Sequence, residues 1–356
     1  MSETIWPMFR VLLAGFAASL ILTGLVREFS RRLDLMDRPG AHKQHLEATP
    51  TLGGLGVFGG FTVAVLAAGL LSPGVQAFLL GGFFIVLVGL LDDMRGVSAN
   101  VKLGALAAAT ALLMEGGVFL RAFALPLPLA FVLTFLWMGL VASAFNGVDN
   151  ADGAASGLAG LSAIFAFGIA WATFQKDLAL VALALGAACA GFLWWNYPRP
   201  RARIFLGDSG SFFIGFCLAA MVVLGEWAGS GLKAILMGVT LLAVPLFDFG
   251  MILISRGLHG KYRTWTDPIT MCARDHTHHR LVAMGLSGRE ALLVMYLLAV
   301  LTGSCSVAMT NLGMNQALTL FGGLVFLGLI LALWLDQAPL AEEPAPPIQE
   351  REEASE

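Results

Sequence analysis

Apolar residues run along this chain in blocks of roughly 17 to 25, each long enough to cross a hydrocarbon core about 30 Å thick as a helix. Between the polar breaks the pattern predicts eleven such spans, near residues 5–26, 53–71, 75–91, 103–120, 128–145, 157–174, 178–195, 211–228, 234–255, 290–310 and 317–335. The fold expected is therefore an all-α polytopic integral membrane protein, with residues 1–340 forming a single transmembrane domain whose polar loops carry its chemistry. Composition agrees. A soluble domain carries about 25% charged residues, whereas this chain of 356 residues is 58% hydrophobic and 13% charged. The first run is expected to be retained, because no Lys or Arg precedes Trp6 and no small-residue cleavage site ends the run.

Basic residues divide unevenly between alternate loops. Seventeen Lys and Arg fall in one set, including Arg27, Arg38, Lys43, Arg95, Lys102, Arg203, Arg256, Arg280 and Arg289, against four (Arg10, Arg121, Lys176, Lys233) in the other. By the positive-inside rule the first set faces the cytoplasm, which puts the N-terminus outside and the C-terminus inside. The loops of the second set are too short to hold a site. The formal charge of -3 comes from the tail 341–356, AEEPAPPIQEREEASE, which carries a net -5 and reads as a disordered acidic extension. Cys189, Cys217, Cys272 and Cys305 are scattered singly, with neither metal-ligand nor paired spacing.

Five loops of the basic set hold the conspicuous polar residues. DLMDRPGAHKQHLEATPTLGG contains His42, Lys43 and His45 ahead of Gly53 and Gly54, and would also serve as a basic topogenic loop with a helix start. LLDDMRGVSANVKLG places Asp92 and Asp93 at the end of an apolar span. Adjacent acids there oppose the helix dipole, so a cation or a lysine such as Lys102 should compensate them. AFNGVDNADGAASGLAG groups Asn146, Asp149, Asn150 and Asp152 among glycines, which suits a hard divalent cation or a nucleotide, and equally a turn. NYPRPRARIFLGDSGS brings Arg199, Arg201 and Arg203 up to Asp208 at a helix start, where the free N–H groups favour an anion such as phosphate or a carboxylate cap. The longest loop, from Arg256 to Arg289, packs His276, His278, His279 and Arg280 together. That spacing is too tight for a helical i, i+4 zinc site and is better suited to phosphate or sugar hydroxyls.

Taken together, RPGAHKQHLEATPTLGG, LLDDMRGVSANVKL, NGVDNADG, IFLGDSGS and DHTHHRL resemble, in order, the motifs of the polyprenyl-phosphate N-acetylhexosamine-1-phosphate transferase family, and most closely its undecaprenyl-phosphate GlcNAc-1-phosphate branch. The resemblance covers residues from about 35 to 290. It implies an eleven-span, N-out, C-in enzyme of the bacterial inner membrane, with a possible homodimeric assembly and no nucleic-acid partner. The implied reaction is attack of a polyprenyl phosphate oxygen on the β-phosphorus of a UDP-N-acetylhexosamine, with release of UMP and a need for Mg²⁺ or Mn²⁺. By match to the motifs, Asp208 and Asn146 are expected to contact the metal. Asp92 and Asp93 would orient or deprotonate the lipid phosphate beside Lys102, and Asp152 would belong to the nucleotide pocket, where Asp149 stands in for an absent acid. His45, Arg203 and the His276, His278, His279, Arg280 group would bind the substrates.

Two positions depart from the family pattern. Many members read DGxDGL where this chain reads DGAASGL, and many carry an acid where this chain has Ala273, with Asp275 lying next to His276 instead. Both touch the sugar-nucleotide end, so they put the identity of the sugar in question. A UDP-MurNAc-pentapeptide substrate is the alternative within the family, disfavoured by the lack of a triple-His run. A transporter is the alternative of another class; it would place its acids mid-span, not at span ends on one face.

Overall fold

The computed structural model describes residues 2–38, 48–120, 125–197, 201–260 and 275–339. His45, Arg199, Cys272, Ala273 and the acidic tail lie outside the described residues. Among those described, every expected span carries a helix. These are α1 (Ser2–Arg32), α2 (Gly54–Ala68), α3 (Pro73–Arg95), α4 (Ala99–Glu115), α5 (Leu127–Val148), α6 (Ala154–Ala172), α7 (Lys176–Asn196), α8 (Gly207–Leu224), α9 (Gly231–Leu241), α10 (Ala243–Leu258), α11 (Thr277–Ala283), α12 (Gly288–Met309) and α13 (Met314–Leu335). Two strands of two residues, β1 (Met36–Asp37) and β2 (Thr49–Pro50), pair antiparallel at the mouth of the first polar loop.

The chain is an all-α polytopic membrane protein. Eight helices are long and apolar enough to cross a bilayer, and nine if α9 and α10 count as one span. Two expected spans are shorter as helices than as apolar runs: α2 has 15 residues and α4 has 17. At a rise of about 1.5 Å per residue, α2 is only ~22 Å long. The expected span 234–255 is broken by a 79° bend at Leu242. Pro245 accounts for the break, since it has no N–H to offer the carbonyl of Leu241 and its ring clashes there.

Close backbone approach locks the helices that build the site. A Cβ on Gly54 would lie 2.2 Å from the backbone of Gly210, so α2 and the first turn of α8 meet at a contact only glycine allows. The chain ahead of α2 is bonded to the chain ahead of α8, with Phe205 N–H donating to the Pro50 carbonyl (2.9 Å), Gly53 N–H to Phe205 (3.0 Å) and Gly54 N–H to Leu206 (2.8 Å). The first and fourth polar loops are thereby one unit. α13 is the least buried long helix, with only Ala317 and Leu335 buried, and its Val325, Phe326, Leu329, Ile330 and Leu333 face outward as a lipid-facing helix should.

Candidate active site

The C-terminal ends of α3 and α5 and the N-terminal ends of α4 and α8 converge on one cluster. Lys102, in the first turn of α4, forms ion pairs with both Asp92 of α3 and Asp208 of α8, the latter at 2.7 Å. Asn146, near the end of α5, donates its amide to Asp208 Oδ1 and to Ser211 Oγ, both at 3.0 Å. Ser211 in turn donates to the Gly207 carbonyl. Two carboxylates around one ammonium are the compensation that acids at a helix C-terminus require. The side chains of Asp92, Lys102 and Asp208 are 14%, 31% and 29% exposed, so the cluster is open to a ligand on one side.

The acid pair of α3 divides. Adjacent residues on a helix point about 100° apart, and while Asp92 meets Lys102 and accepts from Val97 N–H (2.7 Å), Asp93 turns to α8. There it accepts the backbone N–H groups of Asp208 (2.7 Å) and Ser209 (3.1 Å). The first-turn N–H groups of Asp208 and Ser209 in α8, which the sequence offers to a phosphate, are thus held by the Asp93 carboxylate of α3. Gly207 has φ +75°, and a Cβ there would lie 2.7 Å from Asp93 Oδ2, so this cap requires glycine. Burial, and then the nearby carboxylates of Asp208, Asp93 and Asp152, push the Asp149 carboxyl well above the ordinary range.

The remaining expected residues separate into three places. Asp152 accepts Ala202 N–H at 2.7 Å and anchors the loop before α8. Arg203 lies over the Trp195 ring with Arg27 (5.8 and 5.7 Å to the centroid), and Arg27 Nε donates to the Arg203 carbonyl, away from the Lys102 contacts. His276 is beside the cluster: a Cβ on Gly147, the residue after Asn146, would lie 3.2 Å from its ring. His278 and His279 are nearly buried and pack edge to face, and His278 accepts no partner at Nδ1 while Nε2 bonds the Gly288 carbonyl. Burial lowers the His278 pKa from its usual value.

Arg280 departs from the expectation that it contacts the diphosphate. It is 3% exposed, and its guanidinium donates to the carbonyls of Asp275 (2.7 Å) and Leu335 (3.1 Å), to Ser255 Oγ (2.9 Å) and to Asp336 Oδ1 (3.2 Å). Those bonds occupy most of its five donors, and they tie α11 to α10 and the end of α13. Asp275 forms a buried bidentate pair with Arg256 (2.9 and 2.7 Å). Two polar residues escaped the sequence reading. Asn196 accepts from Gly153 N–H and donates to the Ile204 carbonyl, joining the third and fourth polar loops. Asp248, 1% exposed within α10, accepts from His276 Nδ1 (2.7 Å) and Thr277 N–H (2.6 Å). A lone acid in the apolar run VPLFDFGMILI was the available signal.

Among the described residues no group of three or more acids, histidines or cysteines is arranged to hold a metal ion. The donor set nonetheless fits a hard divalent cation: Asp92 and Asp208 offer carboxylate oxygens, the side-chain Oδ1 of Asn146 has no partner among the described residues, and the Lys102 ammonium stands where a cation's charge is needed.

The fold and cluster define a polytopic membrane protein with a carboxylate, lysine and amide site at the ends of its spans. The model of glycosyl transferase family 4 matches residues 75–226, which include that cluster. A probable undecaprenyl-phosphate N-acetylglucosaminyl 1-phosphate transferase of Bacillus subtilis is 33% identical over 306 residues, 82% of each chain. A decaprenyl-phosphate N-acetylglucosaminephosphotransferase of Mycobacterium tuberculosis is 30% identical, over 82% of this chain and 80% of its own. An undecaprenyl-phosphate alpha-N-acetylglucosaminyl 1-phosphate transferase of Yersinia pestis is 26% identical over 90% and 87%. The chain belongs to this family of polyprenyl-phosphate N-acetylglucosamine-1-phosphate transferases.

Proposed function

We propose that the protein transfers N-acetylglucosamine-1-phosphate from UDP-GlcNAc to undecaprenyl phosphate, at the cytoplasmic face of a bacterial inner membrane, and so starts assembly of an envelope glycan. The observation that carries this reading is the Asp92, Lys102, Asp208, Asn146 cluster at the ends of four helices. A lipid phosphate oxygen attacks the β-phosphorus, the bond from that phosphorus to the oxygen shared with the α-phosphorus breaks, and UMP leaves with that oxygen. Such a transfer demands in-line positioning and charge neutralisation more than a base. A phosphate monoester with a second pKa of about 6 is largely ionised at neutral pH. Asp92 and Lys102 therefore act in positioning and charge balance, and Asp93 holds α8 in register.

Asp208, Asn146 and Asp92 would hold Mg²⁺ or Mn²⁺, which when bound would neutralise charge on the diphosphate. Asp149 and Asp152 border the nucleotide end, with the imidazoles of His276, His278 and His279 closing the far side. Purified protein with a divalent metal should release UMP from UDP-GlcNAc only when polyprenyl phosphate is added. A panel with UDP-GalNAc and UDP-MurNAc-pentapeptide identifies the sugar. Asp208→Ala should abolish turnover while the protein remains folded and extractable. Wild-type protein that releases no UMP from any member of the panel refutes the reading.

A further inference from the structure

Asp248 is the one described carboxylate deep in an apolar helix run whose two oxygens are both directed at the segment that begins α11. Oδ1 accepts Thr277 N–H at 2.6 Å and Oδ2 meets His276 Nδ1 at 2.7 Å. A carboxylate only accepts, so the proton of this second bond sits on Nδ1. The His276 ring is 12% exposed, and Nε2 has no protein partner among the described residues. Its Cε1 edge lies against Gly147, next to Asn146. Bonding one ring nitrogen is the ordinary way a protein sets what the other presents.

We propose that Asp248 is a positioning residue that locks the His276 imidazole with Nδ1 protonated, so that the Nε2 lone pair is presented beside Asn146 as an acceptor for a hydroxyl or amide N–H of the sugar nucleotide. The proposal deepens the transferase reading and rests on it for the identity of the ligand. Thr277 N–H fixes the carboxylate, the carboxylate fixes the ring, and the N-cap position of His276 ahead of α11 fixes its backbone. The Arg256–Asp275 pair closes the same segment one residue upstream. A carboxylate at 1% exposure inside a span is costly unless its bonds serve such a purpose.

Asp248→Asn keeps the shape and one acceptor for Thr277 N–H, but turns an NH₂ group towards His276 Nδ1. The ring must then carry its proton on Nε2. UMP release is measured for wild type, Asp248→Asn, His276→Ala and the double variant, with UDP-GlcNAc and undecaprenyl phosphate. A kcat loss of about 10- to 100-fold is expected for Asp248→Asn, the range for outer partners of functional imidazoles. It should vanish in the His276→Ala background, as a double-mutant cycle requires of residues acting through one another. Equal loss in both backgrounds, or none in either, overturns the proposal. ¹⁵N spectra of the labelled protein read the tautomer independently of turnover: Nδ1–H in wild type, shifting in Asp248→Asn. An Nε2–H ring in wild type also overturns it, even if the transferase reading stands; conversely, absence of UMP with an Nδ1–H ring sinks only that reading.

Discussion

Asp93→Asn separates a positioning acid from a proton acceptor. In the structure Asp93 accepts two N–H groups at the start of α8, at 2.7 and 3.1 Å, and the residue that follows Gly207 in that turn is Asp208 itself. Asparagine keeps one accepting oxygen and presents a donor to the second N–H. The change removes one hydrogen bond to a charged group, worth about 1.5–3 kcal/mol, together with a carboxylate at a helix N-terminus, worth about 0.3–2 kcal/mol. A local loss of about 2–5 kcal/mol, if expressed wholly in the register of Asp208, slows turnover some tens- to thousands-fold. UMP release across the neutral and alkaline range is the assay, with thermal unfolding in detergent beside it. The loss should be constant across that range. Gly207→Ala should reproduce it, because a Cβ there displaces the Asp93 carboxylate and forces φ +75° on a chiral residue. Wild-type turnover in Asp93→Asn, or a deficit that disappears at high pH as loss of a base would, refutes the reasoning.

Three further outcomes follow from buried charge. Arg256→Met should destabilise by about 3–5 kcal/mol by stranding Asp275, and the double variant Arg256→Met/Asp275→Leu should recover most of it, as read by thermal unfolding. Because burial depresses the His278 pKa and its Nδ1 has no acceptor, the neutral ring contributes stability that is present above about pH 6.5 and lost as pH falls towards the folded value. His278→Gln should flatten that part of the Tm profile. Asp149 has the opposite sign: its raised pKa means stability is full below the ordinary carboxylate range and is lost as pH rises through the folded value, so Asp149→Asn should raise Tm at pH 7 but not in acid.

The spans were legible because a lipid solvent imposes long apolar runs. Their number was less so, since run length ignores where a helix starts: α2 begins only at Gly54 and ends at Gly69, and Pro245 splits the run 234–255. The convergence of Asp92, Lys102, Asn146 and Asp208 could be anticipated from ordered motifs on one face. The division of labour inside it could not. Asp92 and Asp93 read as a unit until the helix turns them apart, and Arg280 reads as a phosphate ligand until its partners appear 55 and 56 residues away, at Leu335 and Asp336. Asn196 and Asp248 are single polar residues whose meaning lies in partners from other helices.

The same geometry explains why this site is so rich in acids. One tier, Asp93, accepts the N–H groups of Asp208 and Ser209 and so fixes where Asp208 points, with the buried Asp149 beside it. A second tier, Asp92 and Asp208, faces Lys102 and the open side. The Asp93 carboxylate keeps these two N–H groups from capturing a substrate phosphate, because they are already engaged. Under the proposed transferase function, a diphosphate arriving at the cluster would meet a lysine and carboxylate oxygens in place of a preformed anion hole, and its binding would depend on the charge brought with it. If the protein is the transferase proposed, affinity for the sugar nucleotide and supply of divalent cation should rise together.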